Sequence, residues 1–149
     1  MYFIVSLFDG FNIFAIQSIN MAKKKTNSDS TLKQSKTDIA VGVLGSGSFA
    51  TAIVKMLVEN CKTVHWCVRN EFVKGAIELR GHNPTYLTAV NFNLKNLKLT
   101  TDINEMVTAC DIVVLATPSI YLSDSMDKMN CEYGDKVFVS AIKGIIPKV

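Results

Sequence analysis

Ile39-Ala40-Val41-Gly42-Val43-Leu44-Gly45-Ser46-Gly47-Ser48-Phe49-Ala50-Thr51-Ala52 decides the fold of this chain. The first six residues are apolar and rich in β-branched side chains, the composition of a strand buried on both faces. The run stops at Gly45. Beyond the glycines, Phe49, Ala52, Ile53, Met56 and Leu57 recur at the spacing of one helix face, and Asn60 can close that helix. A buried strand, a glycine turn and an amphipathic helix therefore follow each other without a linker.

The turn itself reads Gly45-x-Gly47-x-x-Ala50. Set between a buried strand and a helix, this is the arrangement that binds the pyrophosphate of a dinucleotide. Gly45 permits the tight turn, Gly47 lets phosphate approach the backbone, and Ala50 lets the helix pack against the strand. The start of the helix then offers N–H groups and a partial positive charge to the anion. The competing reading is a glycine turn in an α/β protein that binds no nucleotide.

Outward from this unit the pattern repeats. Thr63 to Val68 reads as a second strand, Glu71 to Leu79 as a helix, Leu97 to Thr100 as a short strand and Ile103 to Ala109 as a short helix after Asp102. Asp111 to Ala116 reads as a further doubly buried strand stopped by Pro118, Ile120 to Met129 as a helix, and Lys136 to Ser140 as a strand. Strands alternating with helices predict an α/β domain of Rossmann type: a doubly wound, mainly parallel sheet covered on both faces.

The end of the second strand bears on cofactor choice. An NAD site of this type carries Asp or Glu there, and this chain has Val68-Arg69-Asn70. Arg69 can stack on adenine and pair with a 2′-phosphate, and Asn70 can hydrogen-bond in the same region, which puts NADP(H) ahead of NAD(H). Pro118 and Ser119 follow a strand's carboxyl end, where they can shape the nicotinamide wall. Lys143 lies just past the last strand, where ligands bind in open α/β sheets, and its ammonium would attract a phosphate or carbonyl oxygen. Trp66 and Phe138 read as core, His65 as packed or solvated and Asp111 as a turn residue; His82 and Asn83, which open a loop before Pro84, are better candidates for the site, without an assigned chemical role.

Composition narrows the function classes. The chain has 149 residues, 48% hydrophobic and 19% charged, which suits one globular domain. Residues 1–38 carry five Lys against three Asp, and residues 39–149 are nearly neutral, so no broad basic field for nucleic acid exists. Cys61, Cys67, Cys110 and Cys131 show no CxxC spacing and read as reduced, mostly buried thiols of a cytoplasmic protein without a metal site. Residues 1–37 read as an N-terminal extension and flexible basic tail, with Met21 as an alternative start, and residues 38–149 as the dinucleotide-binding domain. The apolar stretch from Met1 to Ile16 is too short and interrupted for a membrane span and lacks a basic segment before it, so neither a membrane nor an export role is expected.

Five segments in order carry a family resemblance: Gly45 to Ala52, Trp66-Cys67-Val68-Arg69, His82-Asn83-Pro84-Thr85-Tyr86-Leu87, Ala116-Thr117-Pro118-Ser119, and Ser140-Ala141-Ile142-Lys143-Gly144-Ile145. From about residue 38 to the end, the chain resembles the N-terminal domain of bacterial NAD(P)-dependent glycerol-3-phosphate dehydrogenase. The resemblance implies reversible hydride transfer that reduces dihydroxyacetone phosphate to sn-glycerol 3-phosphate, the backbone precursor of phospholipids. It implies that Ser48, Phe49, Arg69 and Asn70 contact the cofactor and that Lys143 touches both cofactor and substrate. The family also has a helical C-terminal domain, which brings the acid-base lysine and the substrate phosphate site, and a homodimer is possible for its full-length members. No counterpart of that domain follows Val149, so no catalytic residue is expected within this chain, and the fragment is expected to be inactive. Rival readings are another two-domain NAD(P) dehydrogenase, such as a ketopantoate reductase or hydroxyacyl-CoA dehydrogenase relative, and a non-catalytic nucleotide-binding module.

Overall fold

The computed structural model describes Val5–Ser6 and residues 38–142. The expected N-terminal tail, apart from Val5–Ser6, and Lys143 lie outside the described residues. Among the described residues, six strands form one sheet: β1 (Val5–Ser6), β2 (Val41–Leu44), β3 (Val64–Cys67), β4 (Leu97–Thr100), β5 (Ile112–Leu115) and β6 (Val137–Ser140). Their order is β1-β6-β5-β2-β3-β4, and every pairing is parallel. The sequence pattern has no counterpart to β1, a two-residue edge strand registered on Val139 and Ser140.

The helices are α1 (Ser48–Asn60), α2 (Glu71–Arg80), α3 (Ile103–Thr108) and α4 (Leu122–Asp127). Each strand from β2 to β6 falls inside a run with strand character, trimmed at its ends where the run is longer. One expected helix is shortened: the stretch from Ile120 to Met129 resolves into a 3-10 turn at Ser119–Tyr121 followed by α4. Pro118 precedes the 3-10 turn with φ at −57° and fixes where it begins.

Alternation along the strands builds two cores. Val41 and Val43 of β2, Val64 and Trp66 of β3, and Ile112 and Val114 of β5 face a large cluster with Ile53, Val54, Leu57 and Val58 of α1 and Val73 and Ile77 of α2. Leu44, Cys67 and Val113 face the other way, onto Ile103, Met106 and Val107 of α3. Trp66 is fully buried, and its ring meets Phe92 edge-on with centroids 5.2 Å apart. At Gly42 the second layer presses closest, since a Cβ there would lie 2.9 Å from Cys110 Sγ.

Burial pushes the Cys67 and Cys110 thiols up to about 12, with nearby carboxylates adding to the effect, so both stay neutral and act as apolar filler. Burial also holds His65 below its ordinary range, with Glu105 opposing and Lys98 adding to the shift. As an alternate residue to Trp66 on β3, His65 lies on the face away from the glycine loop's helix.

Chain order locates the site. From β2 the chain steps outward through β3 and β4, then crosses to β5 on the other side of β2 and continues to β6. The reversal falls between β2 and β5, and in open parallel sheets the crevice at that point, outside the carboxyl ends of the strands, is where ligands bind.

Candidate dinucleotide-binding site

The glycine loop leaves β2 at this crevice. Gly45 adopts φ +119°, and an added Cβ would lie 2.6 Å from Ala116 O and 3.0 Å from Thr117 N, so the loop lies directly on the exit of β5. Only glycine meets both demands. Gly47 differs: its backbone is ordinary extended, φ −79° and ψ −178°, and a Cβ there would meet no atom within 4 Å. The absent side chain at Gly47 serves no packing purpose in the chain itself. It keeps the backbone open to whatever sits in the crevice.

Gly47 is also the N-cap of α1, and no side chain caps that end. The first turn contains no acidic residue that would offset the helix dipole. The N–H groups of Ser48, Phe49 and Ala50 have no intrahelical acceptor, because their i−4 carbonyls precede the helix. A site of this form fits a phosphate group. Ala50 is fully buried against the sheet, whereas Ser48 and Phe49 are exposed at the crevice, with Phe49 48% accessible.

The side of the loop facing the protein is held by hydrogen bonds. Trp66 Nε1 donates to Gly45 O at 2.6 Å. Asn83 Nδ2 donates to Ser46 O at 3.1 Å and to Thr51 Oγ1 at 2.9 Å. Thr51 Oγ1 donates in turn to Gly47 O at 2.8 Å, alongside the Thr51 backbone N–H. Asn83 is 1% exposed, and its Oδ1 accepts the N–H groups of Thr85 and Tyr86 at 2.9 and 3.1 Å. The adjacent His82 places Nδ1 3.2 Å from Asn83 O.

On the β3 side, Arg69 follows the strand by two residues and is exposed. Among the described residues it forms no ion pair. Asn70 has a local task as well: its Oδ1 accepts from Val73 N at 3.0 Å and caps α2. Only its amide N–H groups are left to point elsewhere. An Asn directly before Glu71 and an amphipathic run is itself a capping signal. On the β5 side, Pro118 is exposed and follows the strand's carboxyl end by three residues. The structure thus brings Gly45, Gly47, Ser48, Phe49 and Ala50 to one crevice and sets Arg69, Asn70 and Pro118 at the carboxyl ends of the two flanking strands.

Sequence reasoning gave Thr51 no role beyond its place in the Gly45 to Ala52 segment and assigned no chemical role to Asn83. It placed the ring of Trp66 correctly in the core but not the reach of its N–H. Among the described residues, no cluster of three or more His, Cys, Asp or Glu could hold a metal ion, and no helix is long and apolar enough to cross a membrane.

A parallel sheet with this reversal and an open glycine loop defines the dinucleotide-binding class of α/β domains. The comparisons specify which. Residues 40–149 match the family described as NAD-dependent glycerol-3-phosphate dehydrogenase N-terminus, and the chain belongs to that family. The glycerol-3-phosphate dehydrogenase [NAD(P)+] of Ectopseudomonas mendocina is 32% identical over 105 residues, covering 70% of this chain and 31% of that protein. That of Myxococcus xanthus is 40% identical over 77 residues, 52% of this chain and 23% of the relative. Among solved structures, glycerol-3-phosphate dehydrogenase from Plasmodium falciparum superposes with a TM-score of 0.62 at 26% identity, over 74% of this chain and 34% of that one. The enzyme from Saccharomyces cerevisiae gives 0.61 at 28% identity, over 72% and 34%. The chain therefore spans about a third of the length of the relatives it matches.

Proposed function

We propose that this chain binds a nicotinamide dinucleotide and forms the cofactor-binding part of an enzyme that reduces dihydroxyacetone phosphate to sn-glycerol 3-phosphate, the precursor of phospholipids. One observation carries the reading: at the sheet's reversal point, α1 starts without a side-chain cap, and among the described residues no atom lies within 4 Å of where a Gly47 Cβ would stand. The pyrophosphate would lie against Gly47, Ser48 and Phe49, with Gly45 and Ala50 setting the loop's shape. The dinucleotide, when bound, supplies a hydride.

Arg69 and Asn70 would hold the adenosine end. An exposed guanidinium in the place where an acidic residue would select NAD(H) supports NADP(H) as the preferred form. Pro118 would line the nicotinamide side. Lys143, three residues past β6, would reach both cofactor and substrate, as the family resemblance implies. The reading takes the protein as cytoplasmic and its complete form as a homodimer, both on the family alone. On the family resemblance, acid-base transfer on the substrate carbonyl falls to the C-terminal domain, and this part binds and orients.

Calorimetric titration of the 149-residue chain with NADPH and NADH tests this. NADPH should bind more tightly, and Arg69→Ala should weaken NADPH about tenfold while changing NADH less than about twofold, as the loss of one charge-assisted contact predicts. A folded chain that binds neither nucleotide would overturn the reading.

A further inference from the structure

The glycine loop does not hold its shape by glycine content alone. Three successive carbonyls, of Gly45, Ser46 and Gly47, are each taken by a different side chain: Trp66 from β3, Asn83 from the loop after α2, and Thr51 from the first turns of α1. A trans peptide unit is planar, with its C=O and the following N–H pointing in opposite directions. Fixing those three carbonyls toward the protein therefore fixes the N–H groups of Ser46, Gly47 and Ser48 away from it, toward the crevice. Successive N–H groups aimed into one concavity bind anions.

We propose that Asn83 is the central positioning residue of this device. With Thr51 and Trp66, it aims the three amides at the dinucleotide's pyrophosphate before any ligand arrives. The inference rests on the dinucleotide reading above and adds to it residues that need not touch the ligand. Asn83 is suited to the task because its side chain is saturated: two donors go to Ser46 O and Thr51 Oγ1, and two acceptances come from Thr85 and Tyr86. It cannot rotate without breaking four hydrogen bonds in a site with 1% exposure. Through Thr51 it also acts on Gly47 O, since the hydroxyl that accepts from Asn83 donates to that carbonyl. The loop from His82 to Leu87 is tied to the phosphate loop at the same point.

The test compares Asn83→Asp, Thr51→Val and Thr51→Ser in the 149-residue chain. The probes are NADPH and NADH, with adenosine as a ligand that has the base and ribose but no phosphate. Asn83→Asp keeps both acceptors and sets an oxygen against Ser46 O. It should weaken the dinucleotide tenfold or more, because a neutral amide–carbonyl bond is lost and a carboxylate oxygen is held against Ser46 O in its place. Thr51→Val is isosteric, so it removes the hydroxyl without opening a cavity. It should weaken the dinucleotide about threefold, and Thr51→Ser should restore binding to within about twofold of wild type. Adenosine affinity should not move in any variant. Should Asn83→Asp fail to fold, the Thr51 pair decides.

Equal losses for dinucleotide and adenosine would overturn the proposal, since they would mark a general structural role. Wild-type dinucleotide affinity in Thr51→Val would also overturn it and leave the dinucleotide reading standing. A folded wild-type chain that binds neither dinucleotide overturns that reading and this proposal together.

Discussion

The crevice has two walls, and they are built differently. The wall made by β2, β3 and the glycine loop is finished. Every residue of β2 is buried, Trp66 is fully enclosed, and the loop's carbonyls are held from three directions. The wall made beyond β5 and β6 is bare. The 3-10 turn at Ser119–Tyr121 buries no residue, nor does α4, and Ile120 and Tyr121 stand 74% and 58% exposed. β6 likewise has no buried position along its length. Shape on the first wall is set by internal packing, so a substitution there acts on folding and on binding together unless it falls where the chain makes no contact. On the second wall the chain spends little of its packing energy, so substitutions there report on ligands more than on folding.

The largest effect is expected at the tightest point of the finished wall. Gly45→Ala forces a Cβ into Ala116 O at 2.6 Å and a φ that L side chains avoid. The cost should be about 3 kcal/mol, from about 1–2 for the backbone and about 1–3 for overpacking. Urea unfolding followed by circular dichroism reads it, and a loss under about 1 kcal/mol would mean that the loop and the exit of β5 yield more easily than their contact suggests. Gly47→Ala sharpens the point from two residues away. Its backbone accepts alanine and its Cβ meets nothing, so stability should stay within about 0.5 kcal/mol of wild type. Dinucleotide affinity should fall about tenfold or more, because the methyl group enters the path of the pyrophosphate. Unchanged affinity would place the phosphates elsewhere.

These two glycines also show what is legible in the sequence. Strand, turn and helix around Gly45 and Gly47 can be read because their signals are local: a β-branched run, a glycine spacing and a helical period within a short stretch. Arg69 is legible as the residue at a strand's end. Asn83 is visible as a loop residue, but its role depends on Ser46, 37 positions earlier, and on Thr51, 32 positions earlier. No periodicity encodes a contact of that separation. The indole N–H of Trp66 is hidden for the same reason, since it reaches Gly45 across 21 positions while the ring obeys the simple rule for buried aromatics. The helical pattern from Ile120 to Met129 overstates the helix because Pro118 not only ends a strand but also starts a 3-10 turn.

The smallest effect is expected on the bare wall, where it tests the contrast most directly. Ile120→Ser with Tyr121→Ser removes two large apolar side chains, which would cost several kcal/mol in a core. Both are mostly exposed, and the turn that carries them buries nothing, so little apolar surface leaves water when the chain folds. The Tyr121 backbone N–H still donates to Pro118 O, and the carbonyl still accepts from Ser125 Oγ, because neither bond uses the replaced side chains. The double variant should therefore unfold within about 1 kcal/mol of wild type, about 0.5 for each surface position. A loss of about 2 kcal/mol or more by the same urea measurement would show that these side chains are covered in solution, and the two walls would then differ less than their exposure indicates.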